Sequence, residues 1–180
     1  MKRISCLSLI AVLVMPASGG GADSRSFRNK ECAFRYPPNL KISVKEHGKV
    51  IQLVAPNHSA YWENTITIRK HNRKTDECEP PDGTSPDEQD RRKIAGLHAF
   101  SYSGDDAAMN RYTKEKGYLI ETRTACWRFE LLRRGRPYQK MNLSRGEVEL
   151  LDKQSEQNAK AAKAAFKIVL DSFTLFPPER

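Results

Sequence analysis

The chain has 180 residues, enough for one domain with a buried core, and its 31 Lys and Arg against 22 Asp and Glu give a net charge of +9. Beyond the first residues no apolar run reaches the roughly twenty residues that a membrane span needs, so a membrane-spanning body is not expected. Such a positive excess would point to nucleic acid in an intracellular protein, and the start of the chain argues against that.

Lys2 and Arg3 precede an apolar run from Ile4 to Met15, which Pro16 and a series of small residues follow. This is the order of a secretory signal peptide, and at about twelve residues the run is too short to span a bilayer. Cys6 lies before most of the run, which argues against a lipoprotein anchor. The expected organisation is a signal peptide over 1–22, cleaved after Ala22, and a single domain over 23–180, periplasmic or secreted. Without Lys2 and Arg3 the basic residues number 29 against 22 acidic. In an exported protein that excess suits an unknown protein or an anionic envelope component better than nucleic acid.

Strand periodicity begins at Cys32, where "CAFRYPP" places Phe34 and Tyr36 on one face and Pro37-Pro38 ends the run. "LKISV" alternates Leu40, Ile42 and Val44 with polar residues, and His47-Gly48 supplies a turn. "KVIQLVA" then has apolar residues on both faces, and "NTITIRKH" sets Ile66 and Ile68 against Thr65, Thr67 and Arg69. Four short strands with tight connections predict an antiparallel meander. The segment 72–90 has three prolines, seven acidic residues and no periodicity, and is expected to be a long polar loop around Cys78.

"KIAGLHAFSYSG" is expected to form one strand with Ile94, Gly96, His98, Phe100 and Tyr102 on a common face. A hairpin turn is placed at Lys116-Gly117, and the following strand sets Trp127, Phe129 and Leu131 opposite Arg128 and Glu130. "KMNLSRGEVELLD" gives no clear period and is read as a connection with a short helical piece. From Ser155 to Leu170 the charges Glu156, Lys160, Lys163 and Lys167 lie opposite Ala159, Ala162, Phe166, Val169 and Leu170. That spacing predicts an amphipathic helix, capped by Asp152 or Ser155. "SFTLF" then alternates as a final strand that Pro177-Pro178 ends.

The segment with Phe34, Tyr36, Pro37 and Leu40, the strand with Ile94, Gly96 and Ala99, and the ending with Phe166, Leu170, Ser172 and Phe173 together resemble the PsbP-like superfamily. The resemblance implies an α+β fold, an antiparallel sheet with helices packed on both faces in an α/β/α sandwich. It brings no shared catalytic motif, so no residue inherits a catalytic role, and the functions of individual members do not transfer with a fold.

Cys32, Cys78 and Cys126 remain after the expected cleavage, and an oxidising compartment predicts one disulfide and one free thiol, with the pairing left open. Their wide separation excludes the short ligand spacing of a zinc site, and the acidic residues of 72–90 do not follow a calcium-loop pattern, so neither metal nor cofactor is expected. No G-x-S-x-G nucleophile motif and no glycine-rich phosphate cradle occurs. Arg133, Arg134, Arg136 and Lys140 around Tyr138 form the expected basic binding surface, and Arg69, Lys70, Arg73 and Lys74 form a second basic group. The expected function is an exported, non-catalytic binding or assembly module. The alternative is an exported enzyme of unrecognised type, with a pocket near His98 and the 56–62 loop, lined by His58, Trp62 and His98.

Overall fold

A computed structural model describes residues 24–55, 61–73, 78–87, 90–108, 111–136, 138 and 141–176. The expected signal peptide, His58 and Lys140 lie outside the described residues. The strands are β1 (Arg25–Arg28), β2 (Cys32–Tyr36), β3 (Lys41–Lys45), β4 (Val50–Val54), β5 (Trp62–Asn72), β6 (Ser85–Pro86), β7 (Arg92–Ile94), β8 (Leu97–Ala108), β9 (Arg111–Glu121), β10 (Ala125–Gly135) and β11 (Thr174–Leu175), with one helix, α1 (Arg145–Ser172). All the strand pairs are antiparallel. The fold is α+β, dominated by its sheets, and the described residues contain one α-helix, besides a single 3-10 turn at Glu46–Gly48, rather than the helices on both faces that an α/β/α sandwich requires.

The large sheet has the order β3-β4-β5-β10-β9-β8-β6, with β7 paired to the start of β8. A small sheet of order β1-β2-β11 stands beside it. The expected meander therefore holds for β3, β4 and β5 but not for the Phe34 strand, which pairs with β1 and β11 instead. The alternation of β2 reads the same in either sheet, so periodicity alone does not choose its partners.

Two turns fall elsewhere than the sequence predicts. "KIAGLH" is a hairpin, not one strand: Ala95 and Gly96 both take positive φ, at 51° and 79°, and Ile94 pairs with Leu97. A two-residue turn of that hand matches the twist of the strands it joins. Conversely, Lys116-Gly117 is no turn and lies inside the continuous strand β9. Gly117 is needed there for a close approach: a Cβ on it would stand 2.1 Å from Cζ of Tyr102.

The helix starts ten residues before the expected Ser155. Ser144 is the cap, its Oγ accepting from the Glu147 amide at 3.3 Å while the Glu147 carboxylate accepts from the Ser144 amide at 2.8 Å. This reciprocal pair satisfies two amides that the first turn leaves open. The stripe that α1 buries is Ala165, Phe166, Val169 and Leu170, all in its last two turns.

Those side chains join Phe34 and Tyr36 of β2, Ile51 and Leu53 of β4, Ile66 and Ile68 of β5, and Trp127 and Phe129 of β10 in one core. At its centre Phe173 lies 4.7 Å from Phe129, edge to face, and 5.4 Å from Trp127. The core thus fills the space between one face of the large sheet, the small sheet and α1. No helix among the described residues is long and apolar enough to cross a membrane.

Candidate functional site

Side chains alternate between the two faces of a strand, so the core face of β5, β10, β9 and β8 leaves a second set pointing the other way. The registers align this set in rows across the sheet. One row runs Val50, Arg69, Arg128, Leu119, Phe100, and the next runs Gln52, Thr67, Glu130, Gly117, Tyr102. Among the described residues no α-helix lies on this face.

What covers part of it is the segment after Cys78. A disulfide joins Cys78 to Cys126 of β10, and β6 pairs Ser85 and Pro86 with Ser103 and Tyr102. Tyr102, Leu119 and Cys126 form a second buried cluster with Cys78 packed against it. The loop expected over 72–90 is therefore tied to the sheet at Cys78 and carries the short strand β6. Its far end is held by a polar cluster: Ser101 Oγ donates to the Asp87 and Asp90 carbonyls, Tyr118 Oη donates to the Asp90 carboxylate, and Lys116 Nζ stands 2.6 Å from that carboxylate.

Between the tethered loop and the sheet lies a groove of about 370 Å³, lined by Cys78, Pro80, Leu97, His98, Phe100, Leu119 and Glu121. Phe100, paired with Leu119 of β9, is 46 % exposed. Glu121 is ion-paired with Arg73 at 3.2 Å.

Beside the groove is a polar cluster. Arg128 Nε is 2.8 Å from Oε1 of Glu130, and the Tyr102 hydroxyl, itself fully buried, donates to the same oxygen at 3.4 Å. Burial first, and then the charge of Glu130, raises the pKa of the Glu115 carboxyl above the ordinary carboxylate range. Burial likewise drives the Tyr102 phenol up, so it stays a proton donor. Glu115 and Glu130 are diagonal neighbours on adjacent strands, not two groups facing each other across a cleft. The arrangement pairs Arg128 with Glu130 and disfavours a second negative charge at Glu115.

The structure separates several residues that the sequence grouped. Arg133 and Arg134 point to opposite faces of β10: Arg133 donates to Ser155 of α1, whereas Arg134 is exposed and Arg136 lies just past the strand end. Tyr138 is buried against Tyr61 and Trp62, and its hydroxyl donates to Asp152. Arg69, Lys70 and Arg73 are ion-paired with Glu46, Glu31 and Glu121.

Nor do Trp62 and His98 share a pocket. Trp62 is opposite Gly135, while the His98 end of the sheet aligns with Arg128, about 23 Å along β10 at roughly 3.3 Å per residue. Trp62 also belongs to the core face, with Ile66 and Ile68, and His98 is exposed on the other face. Of the cysteines, Cys78 and Cys126 pair and Cys32 is the buried free thiol. Among the described residues no group of three or more His, Cys, Asp or Glu could hold a metal ion.

Sequence reasoning missed the cluster of Tyr102, Glu115, Arg128 and Glu130. Arg128 and Glu130 alternate with Trp127 and Phe129 and so read as an ordinary solvated face. The available signal was the length of the strands: a charged pair in mid-strand, flanked by strands of eleven residues, is half-buried by its neighbours.

No family model matches the chain, and no curated protein matches it. Among solved structures it is similar to the crystal structure of LpqN, involved in cell envelope biogenesis of Mycobacterium tuberculosis, at 13% identity over 89% of this chain and 88% of that chain, with a TM-score of 0.44. A likeness this distant carries no argument about activity.

Proposed function

We propose that the chain is an exported, non-catalytic binding module of one domain over 23–180, which takes its ligand in the groove on the open face of the large sheet. One observation carries the proposal: Phe100, 46 % exposed, forms an apolar floor with its cross-strand neighbour Leu119 that the disulfide-tethered loop closes on one side. An exposed aromatic in a concave site of mixed polar and apolar lining, set on a sheet, is a composition that ligand pockets use. Export is supported by the charged, apolar and small-residue order of the first 22 residues and by the disulfide, a bond that persists in oxidising compartments.

A PsbP-like relationship is part of the same proposal. It rests on the quoted sequence segments, of which "FRYPP" ends β2, "IAG" makes the β7-β8 hairpin, and "LDSF" ends α1. The expected anionic envelope component is the partner class that fits the basic charge.

The reading as an enzyme retains one observation, that His98 and the carboxylate of Glu121 line the same groove. Binding is favoured because Glu121 is engaged by Arg73 and the sulfur in the groove belongs to the disulfide. The test is native mass spectrometry of the protein purified without denaturant from the exported fraction, beside a Phe100→Ser variant. A defined adduct carried by the wild type and lost in the variant is the expected result. Equal spectra for the two would remove the groove from the function.

A further inference from the structure

We infer that the ligand of this groove is a single-chain amphiphile with an anionic head, its chain lying on Phe100 and Leu119 and its head on the guanidinium groups of Arg128 and Arg69. The inference rests on the binding-module reading and adds the chemical class of the ligand.

The argument comes from one row of the sheet. Phe100, Leu119, Arg128 and Arg69 are successive cross-strand neighbours on β8, β9, β10 and β5. With strands about 4.8 Å apart, the four span roughly 14 Å. The row is thus apolar at the end that floors the groove and doubly cationic at the other.

Two like charges directly opposite one another destabilise an antiparallel pair, so Arg69 facing Arg128 requires compensation. Arg128 has it: Glu130 lies at 2.8 Å. Arg69 has little. Among the described residues its ion-pair partner, Glu46, stands 3.9 Å away and is 61 % exposed, and the buried Nε of Arg69, like that of Arg128, donates no hydrogen bond. The remaining charges around the row are already matched or lie off it, with Glu121 on Arg73 and Glu115 two residues from Gly117 on the far side of Glu130. An anion placed between the two guanidiniums would accept from Arg69 and offset the repulsion, and a carboxylate or a phosphate monoester has the geometry for it.

Size narrows the tail. About 370 Å³ is near the lower end of the roughly 300–1,000 Å³ typical of small-molecule pockets, which suits one short acyl chain and not a two-chain lipid.

The experiment is calorimetric titration of the intact processed protein with decanoate, decyl phosphate, decanol, decyltrimethylammonium and acetate, each below its self-association concentration. The expected result is saturable binding of decanoate or decyl phosphate about tenfold tighter than decanol or the cation, a gap of ~1.4 kcal/mol, with no saturation by acetate. Which of the two anions binds better identifies the head. Arg69→Gln should abolish that preference and leave decanol affinity unchanged, whereas Phe100→Ser should weaken every decyl compound. Arg69 is the deciding position because its replacement frees only an exposed carboxylate, and a melting curve checks that the variant folds. Decanol binding as tightly as decanoate, or an anion preference that survives Arg69→Gln, overturns the anionic head and leaves the groove as a site. Failure of every decyl compound to bind overturns the amphiphile. If Phe100→Ser also leaves the native adduct spectrum unchanged, the binding-module reading falls with it.

Discussion

The ring of Tyr102 lies directly over the backbone of Gly117, its cross-strand partner, so that a Cβ on Gly117 would come within 2.1 Å of Cζ and 2.3 Å of the hydroxyl oxygen. An aromatic side chain here fills the space that a glycine leaves in the middle of a strand, and it carries the hydroxyl to Glu130. Gly117→Ala must push the ring away and take its hydrogen bond with it. Overpacking of this kind costs about 1–3 kcal/mol, and the denaturation midpoint should fall accordingly. Gly146→Ala is the contrast, because a Cβ there meets nothing within 4 Å on the first turn of α1, and it should raise stability by roughly 0.5–1 kcal/mol. Equal effects of the two variants would show that the contact with Tyr102 is immaterial.

The disulfide ties the loop at 78–87 to the sheet across a sequence separation of 48 residues. Cross-linking a loop of that length stabilises a fold by about 2–4 kcal/mol, chiefly by restricting the unfolded chain. Cys78→Ser combined with Cys126→Ser should lower stability by that order and open the groove, of which Cys78 is one wall. Cys32 is fully buried, and burial pushes its thiol up to about 12. Ellman's reagent should therefore find no reactive thiol in the native processed protein and find Cys32 after unfolding. Rapid native labelling, or peptide maps joining Cys32 to either partner, would contradict this arrangement.

Asp90 fixes the other end of the loop, and its titration has a definite sign. Burial raises its carboxyl, but the hydrogen bonds from Lys116 and Tyr118, with the Lys116 charge, outweigh this and hold the folded-state value below the usual 3.8. A depressed carboxylate contributes stability that is present above the unfolded value and is lost as the pH falls through the folded one. Lys116, which the same partner raises above 10.5 against the opposing effect of burial, loses its share only as the pH rises beyond its ordinary range. Asp90→Asn should accordingly reduce stability near neutrality and flatten the decline seen in the wild type below about pH 4. Melting curves across that range give the answer, and an unchanged acid limb in the variant would exclude Asp90 as its source.

Much of the core was legible because one face of each strand is apolar at period two. Ile51 with Leu53, Ile66 with Ile68, and Trp127 with Phe129 are all buried on the face expected. The final helix was legible in its last turns for the same reason at period 3.6. Its first turns were not, because Arg145 to Lys153 buries little and only the Ser144–Glu147 capping pair marks the start. The two misplaced turns share a cause. Glycine serves both positive φ and close approach, and sequence shows the residue without showing which is required: Gly96 turns the chain, and Gly117 admits Tyr102. The candidate site was the least legible part, since Arg69, Arg128, Leu119 and Phe100 come from four strands and meet only through register.

The last strand offers the most severe test of how the two sheets are joined. Thr174 and Leu175 pair with Ala33 and Cys32, the Arg35 amide donates to Ser172 Oγ at 2.8 Å, and Phe173 between them inserts against Phe34, Trp127 and Phe129. A segment of a few residues thus links the end of α1 to the small sheet and plugs the core of the large one. Phe173→Ala should cost about 3–5 kcal/mol, the range for removing a buried aromatic, because rings from both sheets border the cavity it leaves. Phe173→Leu should recover much of that loss. Deleting Ser172 to Phe176 removes the plug and the pairing together and should leave no soluble, cooperatively melting protein. A truncated chain that melts in a single sharp transition would show that the large sheet and α1 hold together without the small sheet's third strand.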